Sequence, residues 1–68
     1  MVKKSDLKKL NSLMEKAEEL KIEKKYNKAV ESYLEAINFV EAKIKDEETR
    51  KEEIENIKSQ IDQIYSGV

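Results

Sequence analysis

Tyr26, Ala29, Tyr33 and Ala36 follow one another at spacings of 3, 4 and 3, the repeat that aligns side chains along one face of a helix. Large rings alternating with single methyl groups make knobs and hollows on that face. A second helix can then approach at short range, so the stretch Tyr-Asn-Lys-Ala-Val-Glu-Ser-Tyr-Leu-Glu-Ala is built for helix packing. Nothing in the backbone chemistry interrupts it. The chain has no Pro, and its single Gly is Gly67. Helix limits must therefore come from caps and from changes of phase in the apolar pattern.

Three segments emerge. The first runs over 5–23, with Ser5 as N-cap, Asp6 in the first turn, and an apolar stripe of Leu7, Leu10, Leu13, Met14, Ala17 and Leu20. Glu23-Lys24-Lys25 breaks the stripe and predicts a short turn. The second runs over 26–45 and turns Tyr26, Ala29, Val30, Tyr33, Ala36, Ile37, Val40 and Ile44 inward. Leu34 and Phe39 lie off that stripe, the pattern of a helix packed against two partners. Phe39 either closes a second seam or stands exposed for a partner. Asp46-Glu47-Glu48 reads as a polar link, and Thr49-Arg50-Lys51-Glu52 has the form of a capping box. The third helix, over 49–66, carries Ile54, Ile57, Ile61, Ile64 and Tyr65. Two phase changes argue against one continuous coiled coil. The expected fold is all-α, an antiparallel three-helix bundle over 1–68 with a repeat-like first hairpin.

Charged residues make up 43% of the 68, yet the net charge is −1, with Lys and Glu interleaved. No basic stripe of the kind nucleic-acid binders carry is present, so no nucleic-acid partner is expected. Pairs such as Glu41–Lys45 at i,i+4 are expected to support the helices. With no His and no Cys, disulfides and the usual zinc sites are excluded, and no metal or other cofactor is expected. No buried pair of carboxylates can be read from the pattern, which argues against an enzyme. No apolar run reaches the roughly 20 residues of a membrane span. With no signal peptide recognisable, a cytoplasmic protein without direct membrane insertion is expected. The start (Lys3, Lys4, Lys8, Lys9) hints at interfacial membrane binding, although acids follow at once.

Residues Lys21 to Phe39 resemble a tetratricopeptide repeat through Tyr26, Ala29, Tyr33 and Ala36, but the helix runs on through Ile44 and no second copy follows at about 34 residues. The chain more closely resembles the MIT (microtubule-interacting and trafficking) domain. Leu13-Met14-Glu15-Lys16-Ala17 is similar to that family's first helix, and Tyr26-Asn27-Lys28-Ala29-Val30-Glu31-Ser32-Tyr33 to its Tyr-x-x-Ala-hydrophobic-x-x-Tyr core. Ala36, Ile37, Ile44, Ile57, Ile61, Ile64 and Tyr65 continue the pattern. The resemblance spans about Leu7 to Tyr65. It departs at the end, where Ile64-Tyr65-Ser66-Gly67-Val68 stands in place of a Tyr-Leu-x-Arg-Ala-Glu type of sequence.

The resemblance implies a monomeric protein-binding module for C-terminal tail motifs of ESCRT-III-like subunits, linked to an AAA ATPase or a related trafficking or division factor. Localisation would be cytoplasmic, with recruitment to membranes through partners. It implies grooves between the first and third and between the second and third helices. Met14 falls in the first, and Tyr65 in the second, floored by Ile61 and Val40. Buried structural roles compete for all four. Lys51 and Lys58 could meet ligand acids, and Glu55 and Asp62 ligand bases. The competing reading of the whole chain is a structural or oligomerising bundle without a peptide ligand.

Overall fold

The computed structural model describes residues 3–67, and three helices account for nearly all of them: α1 (Lys4–Ile22), α2 (Tyr26–Lys43) and α3 (Glu47–Gly67). Met1, Val2 and Val68, included in the one-domain reading, lie outside the described residues. Three-residue connections make neighbouring helices antiparallel, as expected for an all-α bundle.

α2 is the shared element. It supplies Ala29, Ser32, Tyr33, Ala36, Ile37 and Val40 to the core, whereas α1 supplies Leu10 and Ala17 and α3 supplies Ile57 and Ile64. It packs against both neighbours, while α1 and α3 barely touch one another. The bundle measures 37 × 19 × 13 Å, wider than it is deep. Its accessible surface is 5171 Å², against about 4,500 Å² expected for a folded chain of 8.0 kDa. The excess fits an open arrangement in which the outer helices flank a central one.

The Tyr/Ala face does what its spacing predicts. Ala29, Tyr33 and Ala36 are fully buried, and Ala17 of α1 is equally so. Burial pushes the Tyr33 phenol above its ordinary pKa, and the Glu18 carboxylate adds to the shift. Phe39, whose place the sequence leaves open, packs half-buried against the core with the Lys9 ammonium 5.7 Å from its ring centre. It closes the α1–α2 seam.

The α1–α2 turn works without Gly. The Lys25 amide donates to the Leu20 carbonyl (2.9 Å) and the Lys24 amide to the Lys21 carbonyl (3.0 Å), which is a Schellman closure. That closure needs a left-handed residue after the helix, and Lys24 takes the position at φ 64°. A side chain there costs about 1–2 kcal/mol relative to the right-handed region.

Several helix limits differ from expectation, each for a local reason. α1 begins at Lys4, with Lys3 as an N-cap lacking a side-chain bond, so Ser5 lies inside the helix rather than capping it. α2 stops at Lys43, because Ile44 turns to extended backbone (φ −94°, ψ 107°) and buries its side chain completely. α3 begins at Glu47, capped by Asp46 rather than Thr49. The Asp46 carboxylate accepts from the Thr49 amide (3.2 Å) and the Thr49 hydroxyl, and the Arg50 amide donates to the Asp46 carbonyl (2.8 Å). The Asp side chain at the N-cap reaches the amide three residues on without the Thr-x-x-Glu box. The Glu41–Lys45 pair does not form, since Lys45 lies beyond the end of α2. Among the described residues one ion pair is present, Lys25–Glu23 at 3.8 Å.

Lys24→Gly removes the left-handed penalty at the cost of Gly's extra chain entropy, for a net gain of about 0.5–1 kcal/mol and a rise of about 2–8 °C in thermal midpoint by calorimetry. At α3, the Thr49 hydroxyl and amide hold the Asp46 carboxyl below its ordinary pKa. The stabilisation from that cap is complete above the ordinary carboxylate pKa and is lost as pH falls through the lowered folded value. Asp46→Ala is expected to lower the midpoint at neutral pH more than Asp46→Asn, with the difference from wild type shrinking in acid. Melts recorded across a pH series check this.

Candidate functional site

α3 carries Lys58, Ile61, Asp62 and Tyr65 at spacings of 3, 1 and 3, which place them on one flank of the helix. The Lys21 ammonium of α1 reaches Gln60 on the opposite flank at 3.4 Å, so the Lys58–Tyr65 flank turns away from α1 toward the seam with α2. On α2, Val30 and Ile37 pack with the core, and Leu34 stands exposed between them in sequence.

The apolar band here is partly open. Tyr65 is 69% and Leu34 48% exposed, while Ile54, Ile61 and Val30 are half-buried against the core. Toward its start, the surface of α3 itself becomes charged. Glu47, Arg50, Lys51, Glu55 and Lys58 surround Ile54 in a shallow cleft of about 390 Å³. One end of the flank is thus cationic and mixed, and the other apolar.

The expected site residues divide accordingly. Ile61 and Tyr65 join in the band, with Lys58 and Asp62 exposed beside them. Val40 is a correction. It is completely buried between the helices, where no ligand reaches it, because its phase on α2 coincides with that of Tyr33. It belongs to the core and not to a groove floor. Met14 is half-buried and on the flank of α1 that also carries Lys21, facing α3. The structure therefore separates it from the other candidates, in the α1–α3 gap. Near its Lys21 end that gap is lined from α3 by Gln63, Ile64 and Gly67.

Sequence reasoning missed Arg50 as a cleft-lining residue and Leu34 as an exposed apolar one. Leu34 carried a signal, since it sits off the main stripe about 100° from Tyr33. Arg50 carried none, because its role depends on where α3 begins. Comparison with known proteins returned no matching family model, curated protein or solved structure.

Polar substitutions separate band from core. Tyr65→Asp is expected to change stability by no more than about 0.5 kcal/mol, as for an exposed position. Val40→Asp buries an unpaired carboxylate and should leave no cooperative unfolding transition. Urea titrations followed by circular dichroism read both.

Proposed function

We propose that this chain is a non-enzymatic, MIT-like interaction module that takes a Leu-containing tail segment of an ESCRT-III-like partner along the α2–α3 seam. The observation that carries the reading is the partly exposed apolar band Leu34–Ile61–Tyr65 on an otherwise highly charged surface. An added helix or extended segment with apolar residues at helical or alternate spacing would cover it. Lys51 and Lys58 would set its direction by pairing with ligand acids near the start of α3.

The expected affinity is modest. Each anchor gains about 1.5–3 kcal/mol when fully buried, but the band is already half covered and the ligand must be ordered. A dissociation constant on the order of 10 µM to 1 mM follows. In a cell such a module would bring a trafficking or division factor, such as an AAA ATPase, to partners assembled in many copies.

Titrating tail peptides into labelled protein tests the reading. Amide shifts should cluster at Leu34, Ile61 and Tyr65, and Tyr65→Asp should weaken binding at least tenfold without unfolding the chain. Absence of shifts at millimolar peptide, for both helical and extended motifs, would refute it. An obligate oligomer in sedimentation, with the band buried between copies, would support the structural bundle instead.

A further inference from the structure

The hairpin does something to the lysines that the linear sequence does not show. Lys3, Lys4, Lys8 and Lys9 lie at the start of α1, and the antiparallel return of α2 brings Lys43 and Lys45 to the same end of the hairpin. Lys3, Lys43 and Lys45 line a common cleft of about 450 Å³ with Asp6 and Ala42. All six lysines are exposed, and none takes part in an ion pair among the described residues. Asp6 is the one acid in the cleft.

This arrangement works against α1 itself. Lysines at the start of a helix face the positive end of its dipole, and Lys4 and Lys8 repel one another at i,i+4. Asp46, Glu47 and Glu48 at the start of α3 have the favourable sign, so this chain can charge a helix start correctly. A local rule broken without local gain marks a position held for another reason.

We infer that the α1–α2 edge is a peripheral docking surface for anionic lipid membranes. Clusters of this size attract acidic headgroups, each lysine near the surface adding to the attraction. A flat surface suits the edge better than nucleic acid does. Glu48 and Glu52, exposed on α3, repel a polyanion that wraps around the bundle, whereas a plane meets only the side turned toward it. The edge also lacks an exposed aromatic platform for bases. No helix among the described residues is long and apolar enough to cross a membrane, so docking is at the surface.

Sedimentation of the full chain with vesicles tests this. Binding is expected to phosphatidylcholine vesicles containing phosphatidylserine at low salt, but not to phosphatidylcholine alone, and to vanish at high salt. Lys4→Ala with Lys8→Ala should weaken it about thirtyfold, as should Lys43→Ala with Lys45→Ala. Lys24→Ala with Lys28→Ala, at the other end of the hairpin, should leave it unchanged, as should Tyr65→Asp in the α2–α3 band. Circular dichroism checks folding, and removal of Lys4 and Lys8 should not destabilise α1. Failure to bind acidic vesicles at low salt overturns the inference. So does equal loss in the Lys24/Lys28 variant, or tighter binding of duplex DNA through the same lysines.

Discussion

Everything in this bundle depends on α2 serving two neighbours at once. A chain of 68 residues cannot build a thick core, and α1 and α3 scarcely meet, so each is held chiefly by what α2 offers. The Tyr/Ala face meets that demand with unlike side chains. The methyl groups of Ala29 and Ala36 permit a close approach of backbones, while Tyr33 fills the space the outer helices leave over the centre. The cost of this plan is an open side. With one helix saturated and two only half covered, apolar flanks remain on α1 and α3 that no fourth element covers.

The ends of the helices show how little special chemistry a chain needs to stop them. No Pro is used and no Gly stands at either turn. At the first turn the Schellman bonds outweigh the penalty of a left-handed Lys24, because the carbonyls they satisfy would otherwise lack partners. At the second turn the force is hydrophobic. Ile44 is pulled into the core from an extended backbone and ends α2 by doing so, and Asp46 then has the two residues of reach it needs to start α3.

These competing forces explain what was legible in the sequence. The helices and the core faces follow from periodicity, since Leu10, Ala17, Tyr33, Ala36, Ile57 and Ile64 fall at fixed spacings and all are buried. The caps are less legible because several residues can do each job. Ser5 and Thr49 have capping side chains, but the winner is decided by where the neighbouring turn ends, a tertiary matter. The candidate site was half legible for a related reason. Periodicity separates inside from outside, but it does not say which half of the outside faces a neighbour. Val40 and Ile61 look alike as apolar residues of a stripe, and only the crowding of α2 between two helices buries the first completely while leaving the second at an edge.

Charge completes the same logic. A chain with 43% charged residues and one ion pair among those described gains little stability from its charges, as exposed pairs contribute at most about 1 kcal/mol each. Their placement is then free to serve solubility and encounter. In sequence the signs look mixed, because Lys and Glu alternate within each helix. In three dimensions some of them gather: Lys3, Lys43 and Lys45 share a cleft at one end of the α1–α2 hairpin, and the apolar band lies on the α2–α3 flank. An antiparallel hairpin produces the basic edge by pairing the start of one helix with the end of the next, which no reading of net charge reveals. Because edge and band lie on different sides of α2, a membrane on one does not obstruct a peptide on the other. The central helix that limits the core is thus also what keeps the two surfaces apart.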